Sequence, residues 1–318
     1  QKVNSMHILL RFLLLLLAIS FTLAPAAAKK LYKYQDASGN WVFTDKPPGD
    51  NATNVETQQV DISSRPSKLS VRQRGAQSEP LLYIVNEYFG PVEVEISLAE
   101  ALNIESSPAL PKRFIVPGAS EIRAVSLRPE QPNQSWQYRT QYRAMLGDPK
   151  ATHRPPQPYR VPFAAGASFP VSQGFNGPYT HNTPSSQYAV DIALPEGTDI
   201  YAAREGIVMD VANDFFTGGA SQKFMERANL IRILHDDGSM ALYGHLRLES
   251  SRVTPGTRVK RGQRIGKSGN TGFSTGPHLH FVIQLNQGLD MRSTPFEFAG
   301  KDGKPLSPQA GMLLTAYP

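Results

Sequence analysis

The sequence contains no cysteine among its 318 residues. Disulfide bridges, thiolate zinc sites and cysteine nucleophiles are therefore excluded, and any zinc site must be built from His, Asp or Glu. Helical periodicity is nearly absent, whereas 26 prolines and 25 glycines favour turns and short strands. Because 40% of the residues are hydrophobic, a core can still form, and this composition favours an all-β protein. The length of 318 residues suggests two or three domains.

Long runs of basic residues are also missing, although the net charge is +6 and the isoelectric point is near 9.4. A mild basic excess favours an anionic partner, such as nucleic acid, a membrane surface or a cell-wall polymer. No recognised nucleic-acid motif and no basic–aromatic stripe is present. We therefore expect no nucleic acid among the partners.

One long apolar run is present near the N-terminus, over residues 12–23, and it follows the basic residue Arg11. Three alanines at 26–28 complete the basic, apolar and A-x-A order of a secretory signal peptide. The alternative is a transmembrane anchor, which needs about 20 apolar residues, more than this run supplies. We expect residues 1–28 to be a cleaved signal peptide and the protein to be periplasmic or secreted.

Residues 29–50 contain apolar positions that alternate on both sides of a turn. Tyr32 and Tyr34 alternate with polar residues before "DASGN", and "WVF" follows it, so a small β-hairpin is predicted. The segment "YKYQDASGNWVFTDKPP" resembles the short N-terminal domain of unknown function found on many proteobacterial envelope proteins. That resemblance implies a Gram-negative periplasm and no activity. Residues 51–80 are polar and without apolar periodicity, and we interpret them as a linker.

Residues 81–150 return to short alternating segments separated by Gly and Pro, which predicts a small β-sandwich. We interpret it as a spacer or docking domain, with other envelope or cell-division proteins as candidate partners. A Pro-rich connector is expected over residues 151–170 and a C-terminal tail over residues 301–318. Between them, the strand-like segments of residues 171–300 predict a twisted antiparallel sheet.

Histidine is concentrated in this last domain, which holds five of the seven: His181, His235, His245, His278 and His280. In "HLHF", His278 and His280 lie at i and i+2 of a predicted strand. Both therefore face one surface, while Leu279 and Phe281 point into the core. Alone the pair is a weak signal, because two ordinary hydrogen-bonded strand histidines would give the same pattern.

Asp191 lies in the apolar strand segment "YAVDIAL". A carboxylate there destabilises the fold unless it is paired or ligates a cation. His181 lies upstream, across a loop that can fold back, and two His with one Asp suit a hydrolytic zinc site with an open fourth position. His245 follows a strand and a glycine, where a backbone-bonded hairpin-end histidine is the alternative. His235, before a "DDG" turn, is interpreted as structural.

Together, the segments "HNTPSSQYAVDIALPEGTDIYAAREGIV", "ALYGHL" and "VKRGQRIGKSGNTGFSTGPHLHF" resemble the lysostaphin/LytM-type zinc endopeptidases, a family of peptidoglycan hydrolases. The resemblance covers about residues 171–297 and implies a zinc endopeptidase domain over residues 171–300.

The resemblance also implies site residues. It assigns Zn²⁺ to His181, Asp191 and His280, and it makes His245 and His278 the catalytic pair that acts on water and the tetrahedral intermediate. Nine residues separate His181 from Asp191, whereas many family members have three. The longer spacing resembles a Gram-negative subset of the family.

The expected function is zinc-dependent hydrolysis of peptide stems or cross-links of peptidoglycan, with the D-Ala–meso-diaminopimelate bond as the substrate in a Gram-negative wall. No H-E-x-x-H glutamate is present, so a histidine would act as the base. The alternative is a non-catalytic LytM-like activator of cell-wall amidases. Relatives of that kind lack some ligands, and the complete set here favours the enzyme.

Overall fold

The computed structural model of the chain describes residues 29–37, 41–44, 48–60 and 67–318. Within these ranges every regular element is a β-strand, apart from two three-residue 3-10 helices, Gln222–Phe224 and Lys301–Gly303. The all-β prediction is confirmed. Neither of these helices has the length and apolarity needed to cross a membrane. The predicted signal peptide, residues 1–28, lies outside the described residues.

The N-terminal module is a three-stranded antiparallel sheet in the order β2-β1-β3. Its strands are β1 (Lys29–Gln35), β2 (Trp41–Thr44) and β3 (Thr53–Val60). The predicted hairpin is present, with Tyr34 opposite Val42. The prediction that all of residues 51–80 form a linker is wrong, because β3 lies there. Residues 53–57 of β3 are exposed, and its backbone pairing with β1 requires no apolar alternation.

Two antiparallel sheets with a common core form the β-sandwich, residues 67–147, hereafter the sandwich. Its strands are β4 (Leu69–Ala76), β5 (Glu79–Asn86), β6 (Val92–Leu102), β7 (Glu105–Ser107), β8 (Lys112–Val116), β9 (Ser120–Arg128) and β10 (Gln137–Leu146). The sheet orders are β4-β5-β9-β7 and β10-β6-β8. Ile84 and Leu127, from different strands, are fully buried between the sheets. The sandwich prediction is confirmed. However, β4 lies inside the predicted linker. The sequence analysis missed this strand because only Leu69 and Val71 face the core, and two positions are too few to show an alternating pattern.

The C-terminal domain, residues 151–318, is built on a nine-stranded antiparallel sheet. Its strands are β11 (Ser168–Gln173), β12 (Val190–Ala193), β13 (Asp199–Tyr201), β14 (Gly206–Ala212), β15 (Leu230–Leu234), β16 (Met240–Gly244), β17 (Arg258–Val259), β18 (Arg264–Lys267), β19 (His278–Asn286), β20 (Met291–Ser293), β21 (Phe298–Ala299), β22 (Pro305–Leu306) and β23 (Leu313–Thr315). The main sheet runs β17-β14-β15-β16-β19-β12-β11-β23, with β20 paired to β19. As predicted, Leu279 and Phe281 of β19 are fully buried in the core.

The predicted connector, residues 151–170, and tail, residues 301–318, belong to the core of the C-terminal domain. Tyr159 and Phe163 of the connector are 1% and 0% exposed, and Leu314 of β23 is 0% exposed. β23 pairs with β11 and so closes one edge of the main sheet. Proline content indicates an extended segment, but the aromatic residues between the prolines pack into the sheet. The predicted bounds of this domain, residues 171–300, are therefore too narrow.

The sandwich packs against the C-terminal domain at the end of β19 that lies away from His278. Met209 and Met240 of the main sheet are fully buried in the sandwich core. Asn286, the last residue of β19, donates its side-chain amide to Glu93 Oε2 of the sandwich over 2.9 Å. At about 3.3 Å per residue, this contact lies about 20 Å along the strand from His280. The sandwich thus contacts the sheet at the end opposite the two histidines.

Candidate metal centre

Strand register places Asp191 and His280 side by side. β12 and β19 are antiparallel neighbours, and Asp191 lies directly opposite His280 in their pairing. His278 lies opposite Ala193, two residues along the same face. The three polar side chains therefore share one surface of the sheet, as the alternation predicts for the two histidines.

His181 reaches this surface from the segment between β11 and β12, residues 174–189, hereafter the ligand loop. Its side chain is 0% exposed, and its Nε2 lies 3.2 Å from Asp191 Oδ1. Its Nδ1–H donates to the carbonyl oxygen of Gly174 over 2.8 Å. That hydrogen bond leaves Nε2 as the nitrogen that faces the carboxylate.

The part of the ligand loop that precedes Asp191 is held against the sheet. The carbonyl oxygen of Pro184 accepts a hydrogen bond from the backbone N–H of Ser293, on β20, over 2.8 Å. The carbonyl oxygen of Ser185 accepts another from Gln284 Nε2, on β19, over 2.8 Å. These two attachments explain how a nine-residue separation still delivers His181 to the carboxylate.

Three candidate metal ligands converge at this point. His280 Nδ1 lies 2.9 Å and His181 Nε2 lies 3.2 Å from Asp191 Oδ1. The ligand atoms of the three residues lie within 4.8 Å of one another. A tetrahedral zinc site with bonds of about 2.0–2.2 Å places neighbouring ligand atoms roughly 3.3–3.6 Å apart, close to these spacings. His181 Nε2 is buried and has no hydrogen-bond partner among the described residues, and it faces the Asp191 carboxylate, so it is available as a metal ligand. The residues present therefore fit Zn²⁺.

Asp191 organises the charge of this cluster. Burial by itself raises the pKa of Asp191, but the imidazoles of His181 and His280 outweigh it and hold that pKa well below its usual range. Burial by itself lowers the pKa of His181, and the adjoining carboxylate more than offsets it, so that pKa is raised. The ionised carboxylate thus favours positive charge at His181 Nε2, where a metal cation competes with a proton.

His278 and His245 lie beside the cluster as neutral imidazoles. His278 Nε2 is 3.8 Å from Asp191 Oδ1, and its Nδ1–H donates to the carbonyl oxygen of Gly276 over 2.8 Å. His245 follows β16, its Nδ1–H donates to the carbonyl oxygen of Thr271 over 2.7 Å, and its ring centroid lies 4.5 Å from that of His278. Burial lowers the pKa of both imidazoles, to about 3 for His245. Each therefore presents Nε2 as a proton acceptor at neutral pH.

The two other histidines of the C-terminal domain lie elsewhere. His153 Nε2 is 3.1 Å from the hydroxyl of Tyr159. His235 is buried just after β15, and its Nδ1–H donates to the carbonyl oxygen of Glu205 over 2.7 Å. Its own carbonyl oxygen accepts the N–H of Gly238 and closes the "DDG" turn, which agrees with the structural interpretation of His235.

The groups that orient the candidate site residues escaped the sequence analysis. Gln173 lies opposite Asp191 in the β11–β12 pairing and donates its Nε2–H to Asp191 Oδ2 over 2.9 Å. The register shifts between Val171 and Gln173, which breaks the alternation that would have marked Gln173 as site-facing. The Ser274 hydroxyl lies 3.2 Å from His278 Nδ1, and the other orienting groups are backbone carbonyls, which carry no side-chain signal.

Two family models match parts of the chain. The model described as Peptidase family M23 matches residues 185–291, a range that contains Asp191, His245, His278 and His280. His181 lies four residues before it. The model described as a domain of unknown function, DUF4124, matches residues 12–72.

Individual proteins are similar over part of the chain. The peptidoglycan DD-endopeptidase ShyA of Vibrio cholerae serotype O1 is 40% identical over 93 residues, which are 29% of this chain and 19% of ShyA. Lysostaphin of Staphylococcus simulans is 32% identical over 117 residues, 37% of this chain and 20% of lysostaphin. The chain thus spans about a fifth of the length of these curated relatives. A solved structure of lysostaphin from S. simulans matches with 34% identity and a TM-score of 0.28, over 37% of this chain and 43% of that one.

Proposed function

We propose that this chain, whose residues 185–291 match the peptidase family M23 model and whose residues 12–72 match the DUF4124 model, is a zinc-dependent endopeptidase of peptidoglycan. The observation that carries the proposal is the convergence of His181, Asp191 and His280 beside two neutral imidazoles. A non-catalytic amidase activator does not require such a set.

The metal would be held by His181 Nε2, Asp191 Oδ1 and His280 Nδ1. When bound, zinc supplies Lewis acidity, which polarises a peptide carbonyl and lowers the pKa of water. The protein prepares each ligand in the required form. The hydrogen bond from His181 to Gly174 keeps the ligand nitrogen aimed at the carboxylate, and the low pKa of Asp191 keeps it ionised.

Proton transfer would fall to His278 and His245. Their Nδ1–H groups are bound to carbonyl oxygens, so Nε2 of either ring can take a proton from the attacking water. The resulting imidazolium can then stabilise the oxyanion or return the proton to the leaving amine. Because both tautomers are held by the backbone, neither ring must reorient before it acts.

The proposed substrate is the peptide part of peptidoglycan, and the proposed bond is D-Ala–meso-diaminopimelate. The relative ShyA, a peptidoglycan DD-endopeptidase, supports this choice. The signal-like N-terminus supports a periplasmic location, and the net charge of +6 suits an anionic cell-wall polymer.

Digestion of purified Gram-negative sacculi, followed by mass analysis of the released fragments, tests the proposal. Wild-type protein with Zn²⁺ should release fragments cut at D-Ala–meso-diaminopimelate, and both chelation and His280→Ala should abolish release. Activity that survives exhaustive chelation would contradict the metal requirement. A metal-free, inactive wild type that stimulates a cell-wall amidase would instead support the activator function.

A further inference from the structure

We infer that Gln173 is a positioning residue whose side-chain amide joins Asp191 to the ligand loop and thereby sets the affinity of the site for its metal. The inference rests on the proposed zinc site. Gln173 is the last residue of β11, is 7% exposed, and lies opposite Asp191. A buried amide at this point must satisfy its polar atoms locally, and each of its partners belongs to the candidate site or to the ligand loop.

The first contact of this amide separates the two oxygens of the Asp191 carboxylate. Oδ1 faces His181 and His280, whereas Oδ2 accepts the hydrogen bond from Gln173 Nε2 over 2.9 Å. With Oδ2 occupied, the carboxylate cannot rotate without losing that bond. Hydrogen bonds of this kind to a ligating carboxylate fix its orientation and commonly govern metal affinity.

The other contacts of Gln173 reach the ligand loop. Its Nε2 also donates to Thr180 Oγ1 over 2.7 Å. Its Oε1 accepts the backbone N–H groups of Tyr179 and Thr180, over 3.1 and 3.4 Å. Both N–H bonds and the carbonyl of the amide are thus used, and they hold the two residues that precede His181.

Two neighbouring residues therefore fix two of the candidate ligands. The side chain of Gln173 orients Asp191, and the carbonyl oxygen of Gly174 accepts the hydrogen bond from His181 Nδ1. The ligand loop also packs directly on the Gln173 side chain, since a Cβ added at Gly177 would lie 2.2 Å from Gln173 Cγ. This end of β11 controls the spacing between His181 and Asp191.

The test is the zinc dissociation constant of Gln173→Met, measured by competition with a chromophoric chelator. Methionine keeps the length and bulk of the side chain but cannot form these hydrogen bonds. We expect the Kd for zinc to rise about 10- to 100-fold. Because Gln173 acts through the metal, excess zinc should restore the kcat of the variant on sacculi.

Gln187→Met is the matched control. Gln187 lies in the same loop and donates to Asn176 Oδ1 over 2.9 Å, and within the described part of the chain it forms no hydrogen bond with Asp191. The control should bind zinc as the wild type does, and circular dichroism of the zinc-free proteins should show that both variants are folded. Equal zinc affinity in Gln173→Met and wild type, or equal losses in the two variants, would overturn the inference.

Gln173→Asn covers the case in which Gln173→Met does not fold. The shorter amide stays polar but cannot span Asp191 and Thr180 together, so its Kd for zinc should also rise, and a wild-type Kd would overturn the inference. A wild-type protein that binds no zinc would refute the proposed zinc site itself. Zinc binding by the wild type with no change in the Gln173 variants would refute only the role of Gln173.

Discussion

Buried polar side chains lie beside both ends of β19, but their hydrogen bonding differs. At the end near the sandwich, Asn286 is 1% exposed, donates to Glu93 and to the carbonyl of Gly147, and accepts the N–H of Leu289. At the other end, the buried Nε2 of His181 has no hydrogen-bond partner among the described residues.

This difference separates a structural network from a site that needs a ligand. A buried polar group that is fully hydrogen-bonded stabilises one packing arrangement. A cluster that combines an ionised carboxylate with an unpartnered imidazole nitrogen is stabilised by a cation. The network at the Asn286 end accordingly joins the sandwich to the C-terminal domain, whereas the cluster at the His280 end is suited to binding a metal cation.

The largest expected effect comes from removing a ligand. Asp191→Ala and His280→Ala each delete one of three metal donors and should abolish both zinc binding and peptidoglycan hydrolysis. Zinc content after dialysis, measured by atomic absorption, checks the first loss. Asn286→Ala, at the opposite end of the strand, should keep its zinc. Loss of zinc from Asn286→Ala in a folded protein would contradict the proposed division between the two ends.

Removing the neutral imidazoles should separate binding from turnover. His278→Ala and His245→Ala each leave all three metal donors in place, so zinc content should stay at the wild-type level. Turnover on sacculi should fall by about 10²- to 10⁴-fold, the usual contribution of a general acid–base group. Zinc loss in both variants would instead place these histidines among the ligands.

His235 and His245 each donate Nδ1–H to a backbone carbonyl, but only His245 lies beside the candidate metal centre. For His235 we therefore expect an effect on folding stability and none on zinc binding. Burial lowers the pKa of His235 to about 4. In the unfolded chain a histidine has a pKa near 6.5, so as the pH falls the unfolded state takes up a proton on His235 before the folded state does. The free energy of unfolding should therefore decrease as the pH drops from about 6.5 to 4, by up to roughly 3 kcal/mol.

Urea denaturation across that pH range, comparing the wild type with His235→Gln, measures the contribution of His235. Because glutamine does not titrate, the stability of the wild type relative to the variant should decline towards pH 4. Parallel pH profiles would show that the native state accommodates a charged His235.

The smallest expected effect comes from the hydrogen-bonded network at the Asn286 end of β19. Glu93 is 2% exposed and accepts hydrogen bonds from Asn286 Nδ2 and from the N–H of Leu289, over 2.9 and 2.7 Å. Glu93→Ala should destabilise the protein by about 2 kcal/mol, since buried donors lose a charged partner. Urea denaturation gives this value, and the Kd for zinc should not change. A weaker zinc affinity would show that the two ends of β19 are coupled.

The sequence identified most of the candidate site residues but few of the groups that hold them in position. His278 and His280 could be placed on one surface because strand alternation is local and has a period of two. Asp191 could be named as a candidate ligand, but it joins that surface only through the pairing of β12 with β19. His181 could be named, but its arrival depends on carbonyls of Pro184 and Ser185 bonded to distant strands. The orienting role of Gln173 follows a register shift that only the paired strand reveals.

The same division applies to the fold. Strand-like segments and frequent Pro and Gly were sufficient for an all-β prediction with a sandwich ahead of a larger sheet. The linker and tail predictions failed for a common reason. Edge strands such as β3 and short strands such as β23 are held by backbone pairing, which leaves little periodicity in the side chains.

The sequence by itself determined the fold class, the absence of thiol chemistry, and the same-face placement of His278 and His280, because each depends on composition or on neighbouring residues. The tertiary structure decided that His181 meets Asp191, that Gln173 holds them in register, and that the sandwich contacts the opposite end of β19. Those outcomes depend on contacts between residues that are far apart in the chain. No local sequence pattern encodes the free energies of such contacts.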